Sequence, residues 1–517
     1  MMIVVLIAEP ALAALVSILI RRHPVRRALL VTAAAVHAGL VAWLWIDPSR
    51  FPPLSGWLAL DSLGMLFLAI ASLLFLLASV SAVSFLRREN GVTQADPEEG
   101  FLFDNIPEAV FTACLLGFLS MMTLVTSSQH FALLWIAIEA TTLVSAPLIH
   151  YHRHHRSLEA TWKYLLICSV GIAVALLGTY FLAAAVPSGS GGSDSLTFAG
   201  LKARAALLDP RWLKASFLLL LVGYGTKMGL APMHTWLPDA HSEAPSVVSA
   251  LLSGALLNCA FLAVLRILSV CSSAGLGAFG RQTLIAFGLC SMAVAAGLII
   301  GQQDYKRMLA YSSVEHMGIL ALGVGIGGVG DWGALLHAVN HSLAKAALFL
   351  LAGNILAAYG TKKRADVTGL LHRVPVTGVL WIAGIFAIVG SPPFGVFTSE
   401  LTVLRAAVDA RMWGVVVAYS LVLSVVFAGM IVVLVRMAQG SPKAAVAGGV
   451  LETVGGTGGA EHTGPVAVVA GAPIPARERI WDVAAPAALL ACSAVLGLYV
   501  PPFLDHALRQ AAVLIGG

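Results

Sequence analysis

Fourteen apolar runs, each long enough to cross a bilayer, divide this chain from residues 2–20 and 28–46 at one end to 413–435 and 482–504 at the other. Backbone in hydrocarbon must satisfy its own hydrogen bonds, so runs of this length are read as helices. The chain has 517 residues, 59% hydrophobic and 11% charged, which excludes a soluble domain. The expected fold is an all-α polytopic membrane protein with about fourteen transmembrane helices.

Charge sets the topology. The first run is followed, not preceded, by Arg21, Arg22, Arg26 and Arg27, the reverse of a cleavable signal peptide. Loops after odd-numbered runs hold 19 of the 31 Lys and Arg; the other loops and the termini hold 9. The odd loops are therefore expected in the cytoplasm and both termini on the other side. The net charge of +5 is a topology signal and not a nucleic-acid footprint. Six cysteines with no CxxC spacing read as packing residues, giving neither an iron–sulfur site nor a disulfide framework.

Three basic residues remain inside runs: Lys227, Arg266 and Lys345. Lys227 is followed five residues later by Pro232, so a helix is expected to break beside a buried cation. Non-helical backbone at membrane depth is tolerated where protein or a wet cavity surrounds it, and an intramembrane lysine marks an ion or proton path. A second break is expected at Pro392 and Pro393, seven residues before the carboxylate of Glu400. Paired broken helices in two halves point to a transporter's working sites. Glu139, in the middle of FALLWIAIEATTLVSAPLIH, either pairs with Lys227 or is capped locally by Thr141 or Thr142. His234, Asp239, His241 and Glu243 in HTWLPDAHSEAP either guide protons towards Lys227 or form a hydrated turn.

Further on, Asp304, Lys306 and Arg307 read as a solvated cap, with Glu315 and His316 a turn or two into the next helix. His337, His341 and Lys345 recur at i, i+4 and i+8 and share one helical face. Two histidines without a third ligand make a poor zinc site, whereas imidazole exchanges protons near neutral pH. No cofactor and no metal site are expected. HYHRHHRSLEATWK reads as a basic, topology-setting loop, and the GxGxxG match at Gly323–Gly330 has no preceding strand and is discounted. The first two runs and Asp61, which opens the third, read as scaffold. Residues 87–107 read as a solvated surface open to a partner, PSGSGGSD as a plain linker, and the stretch from 440 to 480 as a Gly/Ala/Pro-rich loop. One last helix, from Trp481 to about Leu504, closes the chain.

YGTKMGLAPMHTWLPDAHSEAP, WIAIEATTL, DYKRMLAYSSVEHMG, HAVNHSLAKAALFLLAGN and GSPPFGVFTSE together resemble the antiporter-like subunits of respiratory complex I, multisubunit Na+/H+ antiporters and membrane-bound [NiFe] hydrogenases. The likeness spans about residues 107–435. IEATTLVSAPL and RSLEATWKYLLICSVGIAVALLG are most similar to the F-type component of hydrogenase-4 and formate hydrogenlyase-like complexes. The resemblance implies two inverted five-helix repeats, each with a broken helix: 107–271 and 272–437, after scaffold helices in 1–106 and before a loop at 438–480 and a final helix in 481–517. It implies that Glu139 modulates Lys227, that His337, His341 and Lys345 form the central relay, and that Glu400 is the exit-side group. Glu315, His316, His234, Asp239 and His241 are accessory candidates. Asn258 is a departure, because relatives offer lysine or histidine there. An ordered water chain held by its amide is the expected substitute.

The function this implies is proton translocation by a subunit with no redox centre of its own, driven by electron transfer in attached membrane and redox subunits. The alternative is a cation/proton antiporter, for H+ or Na+, without redox partners.

Overall fold

The computed structural model describes residues 2–46, 56–89, 94–95, 102–187, 195–440 and 478–516. Helices α1 (Met2–Leu19), α2 (His23–Ile46), α3 (Ser62–Glu89), α4 (Glu108–Ser127), α5 (Phe131–Ile149) and α6 (His155–Ala185) come first. After the short α7 (Phe198–Ala203) the chain breaks one crossing into α8 (Pro210–Met228) and α9 (Trp236–Glu243). The next crossing is α10 (Ser246–Leu251) and α11 (Leu257–Ser273), joined by a π-helical turn at Leu252–Leu256. Then follow α12 (Gly277–Ile299), α13 (Tyr305–Ile326), α14 (Val329–Tyr359), a one-turn α15 (Leu370–Arg373), a second broken crossing of α16 (Pro375–Ile388) and α17 (Gly395–Asp409), α18 (Trp413–Ala438), α19 (Ile480–Leu498) and α20 (Pro502–Gly516). Twelve of the described helices are long and apolar enough to cross a membrane unaided. With the two broken crossings this makes the fourteen that were expected.

From α4 onwards the order is three crossings, a broken one and one more, repeated from α12 to α18. An odd number of crossings per unit starts the second unit on the opposite side from the first, which inverts it. Two-residue pairing of Gln94–Ala95 with Leu102–Phe103 is the one strand ladder among the described residues.

Local chemistry explains the breaks. Asp209 caps α8 by accepting from Arg211 N and Trp212 N, Pro210 occupies its first turn, and Gly229 ends it with φ +84°. The exposed backbone of the break is then taken up by side chains: Trp236 Nε1 donates to Thr226 O at 2.8 Å, and Ala231 N donates to Ser291 Oγ of α12 at 2.9 Å. At the second break His316 Nε2 lies 3.0 Å from Ile388 O, and Asn340 Nδ2 donates to Gly395 O at 2.7 Å.

Several expectations need correcting. The closing helix does not reach Leu504: α19 stops at Leu498, because Pro501 and Pro502 cannot continue its hydrogen bonds, and α20 follows. Lys306 is no solvated cap. Asp304 starts α13 by accepting from Lys306 N and Arg307 N, which turns the Lys306 side chain inwards, 1% exposed. Its Nζ donates to Ser242 O and Ala244 O, the free carbonyls at the end of α9. Residues 236–243 form a buried helix and not a hydrated turn. The first two helices are less bare than they read: Glu108 holds Arg27 at 2.6 Å and His23 at 2.9 Å, and His37 sits between Ser72 and Thr123.

The His-rich loop is architectural. His154 caps α6 through Ser157 N, and His152 Nδ1 contacts Asn105 Oδ1 at 2.8 Å. Burial, with His154, Lys306 and Lys362 nearby, holds His152 down at about 3, so its ring stays neutral and does not sense pH. At the opposite end of the bundle, burial alone raises the Asp61 carboxyl, but the paired Arg266 guanidinium and Gly64 N–H bring it below the usual carboxylate value. That pair ties α11 to the start of α3. Residues 90–93 and 96–101 of the expected surface stretch, and nearly all of the two expected linkers, 187–194 and 440–480, lie outside the described residues.

Helices α6 and α8 meet through small residues, which lets their backbones approach closely. A Cβ on Gly223 would stand 2.6 Å from Ala175 Cβ and from Ala175 N, and one on Gly171 would stand 2.7 Å from Thr226 Cβ. Gly39 has nothing within 4 Å of such a Cβ. Gly223→Val is therefore expected to force α8 off α6 and cost about 1–3 kcal/mol. Thermal unfolding in detergent should show a lower midpoint for it, with Gly39→Ala unchanged; equal midpoints would refute the close approach.

Candidate functional site

Three clusters of buried polar groups follow one another through the middle of the bundle. The first is built on α5, α6 and α8. Lys227 is fully buried, and its Nζ donates to Thr142 Oγ1 at 2.8 Å and Tyr164 OH at 2.6 Å, with the ammonium 4.5 Å from the Tyr164 ring centre. Glu139 is half-buried. Its carboxylate accepts from Ser169 Oγ at 2.9 Å and from Thr142 Oγ1 at 3.2 Å. Thr142 thus bridges carboxylate and amine: it accepts from Lys227 and donates to Glu139. Both earlier alternatives hold in part, since Glu139 is capped locally and its link to Lys227 runs through that cap.

The second cluster lies between the halves. Asn258 Nδ2 donates to Gly254 O at 2.9 Å and to Ser342 Oγ at 2.7 Å, beside the π-helical turn. Such turns recur at functional sites. Its Oδ1 is buried with no partner among the described residues. His241 is fully buried on α9, stacked 4.7 Å from the ring of Phe349, one turn beyond Lys345 on α14. Both nitrogens of His241 and both of His341 have no hydrogen-bonding partner among the described residues. Lys345 Nζ donates to Leu309 O at 2.7 Å and contacts Ser312 Oγ. Three buried residues with open polar atoms are what ordered water satisfies.

The third cluster joins α13, α14 and α17. His316 Nδ1 lies 2.8 Å from His337 Nε2, with the rings stacked at 5.0 Å. His337 Nδ1 lies 3.0 Å from Ser399 Oγ, and a Glu315 oxygen 3.5 Å from His316 Nε2. Because the Ile388 carbonyl can only accept, His316 Nε2 carries hydrogen. Ser399 has two choices: it donates to His337 Nδ1, or it turns its hydrogen to Val396 O at 2.9 Å and accepts from His337 Nδ1–H. In the first state the ring pair is neutral; in the second it holds one additional proton. The heavy atoms serve both, and one hydroxyl rotation separates them.

Glu400 completes this cluster. It is 7% exposed and lies against Gly390, where the chain has φ +66° and a Cβ would stand 1.9 Å from Glu400 Oε2. Only glycine leaves room for the carboxylate there. One atom each from His316, His337 and Glu400 lie within 4.8 Å of one another. The group that comes together is not the His337–His341 pair weighed from the sequence. His341 shares α14 with His337, whereas His316 comes from α13 and Glu400 from α17.

Elsewhere the candidates divide. Asp239 sits in an outer ion-pair cluster with Lys163 at 3.0 Å and Arg307 at 2.8 Å, and Glu243 pairs with Lys362 at 2.8 Å. His234 is buried beside Tyr311 with Nδ1 unpartnered among the described residues. Sequence reasoning missed the hydroxyls: Tyr164, Ser169, Ser312 and Ser399. Thr142, one turn from Glu139, was the one legible from spacing. Gly327 and Gly328 simply end α13 and start α14 with positive φ, as the discounted GxGxxG match required.

Residues 128–427 match the family model described as NADH:quinone oxidoreductase/Mrp antiporter, TM. A hydrogenase-4 component F homolog from Methylacidiphilum infernorum (isolate V4) is 37% identical over 369 residues, 71% of this chain and 76% of that one. Hydrogenase-4 component B from Escherichia coli (strain K12) is 32% identical over 380 residues, covering 71% of this chain and 53% of that protein's length. Among solved structures, a chain of the membrane-bound sulfane sulfur reductase, an archaeal respiratory membrane complex, superposes with a TM-score of 0.80 at 20% identity, over 99% of this chain and 97% of that one. At that identity the likeness shows the fold alone.

Thr142→Val keeps the shape and removes the hydroxyl that joins Glu139 to Lys227. Proton translocation in sealed vesicles is expected to fall roughly tenfold, since a bond to a charged group is worth about 1.5–3 kcal/mol. Thr141, whose hydroxyl donates to Ile138 O on its own helix, should tolerate valine. Equal rates in the two variants would contradict the bridging role.

Proposed function

The chain belongs to the NADH:quinone oxidoreductase/Mrp antiporter membrane family, and from that premise we propose that it is a proton-translocating, antiporter-like subunit of a hydrogenase-4 or complex I type respiratory complex. Its partners on this reading are the other membrane and redox subunits of that complex, which handle the electrons. It is a multi-pass membrane protein. We place it in the plasma membrane with the His-rich loop in the cytoplasm and both termini outside, from the Lys and Arg bias of the loops.

One observation carries the reading. Buried titratable groups run from Lys227, linked to the half-buried Glu139, through Lys345 and His341 to the His316–His337 pair, Glu315 and Glu400, and the run begins at Lys227 and ends at Glu400, each on a broken crossing. Charges this deep are costly, roughly 2.5–3.5 kcal/mol each on insertion scales. A purely structural bundle has no need of them. Proton movement follows from how the clusters are linked. At the first, a change of charge on Glu139 is felt at Lys227 through Thr142. Across the middle, the open atoms of Asn258, His241 and His341 can hold water that passes the proton to Lys345. At the last, the His316–His337 pair accepts it with a turn of the Ser399 hydroxyl and hands it to Glu400, beside the Gly390 break. The hydrogenase relatives favour pumping by this subunit, driven by electron transfer in its partners, over an isolated antiporter.

In the complex reconstituted in sealed vesicles, Lys227→Ala is expected to abolish proton translocation while electron transfer persists at a reduced rate. Wild-type pumping by Lys227→Ala would sink the assignment. Asn258→Leu roughly keeps volume but removes the water anchor. It should assemble and move fewer protons per electron; a normal ratio would make Asn258 a packing residue and send the link elsewhere.

A further inference from the structure

We propose that His316, His337 and Glu400 form a latent divalent-metal site that takes zinc and, when filled, locks the second-half relay. Two imidazoles and one carboxylate, buried at 0%, 0% and 7% exposure, offer one ligand atom each within 4.8 Å of one another. A tetrahedral zinc with bonds of about 2.0–2.2 Å separates its ligand atoms by ~3.4 Å. The nearest pair, His316 Nδ1 and His337 Nε2, stands at 2.8 Å, so the rings part by about half an ångström and the carboxylate closes in by about an ångström or more.

Charge and donor type choose the metal. The Glu400 carboxylate and that of Glu315, 3.5 Å from His316 Nε2, supply the negative charge that a buried divalent ion needs. Imidazole also suits zinc and not the oxygen-seeking Mg2+ or Ca2+. Supporting bonds are already present: Ser399 holds the far nitrogen of His337, and the Ile388 carbonyl holds that of His316, as outer partners orient metal-bound histidines. The open fourth position belongs to water. Access comes from the second break, where Gly390 lies directly against the carboxylate. On binding, the ion replaces the hydrogen shared by the two rings, and any on Glu400; these leave as protons to bulk water along the same access, and the zinc-bound water does not take them up. The two nitrogens then face metal and not each other, and the pair can no longer pass a proton. This last consequence rests on the proposed relay, whereas binding itself does not.

The test uses the native complex purified in nanodiscs, treated with chelator, loaded with ZnCl2 and desalted. Zinc content and zinc X-ray absorption are compared between wild type, Glu400→Gln and His337→Ala. One more zinc per complex in wild type than in either variant, with two imidazole ligands and an oxygen at about 2.0–2.2 Å, is the expected result. Equal zinc in all three, or absorption with fewer than two imidazoles in wild type alone, overturns the site, and the wild-type spectrum stands even if a variant misfolds. Proton translocation is read in parallel. The loaded wild type should pump at least tenfold more slowly and recover with chelator. Zinc bound at this site with unchanged pumping would keep the site and defeat the relay through it; no zinc bound would defeat the site and leave the relay untouched.

Discussion

Water is absent from a bilayer core, so every donor, acceptor and charge placed there must find its partner within the protein. That constraint organises this bundle more than hydrophobicity does, because lipid tails are as apolar as leucine and give helices little reason to associate. The two broken crossings state it most clearly. Each break exposes backbone, and each is covered by side chains: Trp236 of α9 itself and Ser291 of α12 at the first, His316 of α13 and Asn340 of α14 at the second. His316 belongs to the candidate relay. The group that seals the second break is thus one of those proposed to handle the proton, and the break and the polar cluster hold each other in place.

The same constraint explains why lysines are buried among carbonyls and hydroxyls and not against carboxylates. Lys227 leans on Thr142 and Tyr164, Lys345 on Leu309 O and Ser312, Lys306 on the end of α9. A tight, direct salt bridge would hold both charges fixed, and breaking it is strongly costly. Hydroxyl bridges let each charge respond to its neighbour while either remains free to change. Arg266 with Asp61 and Arg27 with Glu108 are the contrast. These direct pairs lie towards the ends of the bundle and clamp helices together.

Much of this was legible in the sequence, for reasons that can be named. Apolar run length gave the fourteen crossings, and Pro232 with Pro392 and Pro393 marked the two that break. Helical spacing put His337, His341 and Lys345 on one face, and all three are buried in α14. What escaped was the register between helices. Nothing in a one-dimensional pattern says that Thr142 reaches Lys227, that His316 of α13 meets His337 of α14, or that Lys306 turns inwards onto the end of α9. Lys306 was misread because a basic residue after an apolar run is usually solvated, whereas Asp304 starts the helix one residue earlier and swings it inside. The final helix was misjudged because apolar residues continue past the Pro501–Pro502 stop.

The central claim is that three polar clusters form one wet path, and the weakest span lies between Lys227 and the His316–His337 pair, where protein atoms leave gaps. A cryo-electron microscopy map of the native complex, at a resolution that shows individual waters, tests it directly. Ordered waters are expected at Asn258 Oδ1 and at the ring nitrogens of His241 and His341, forming an unbroken file to Lys345. A dry, apolar gap at those atoms would contradict the path and leave the two halves unconnected through the centre of the bundle.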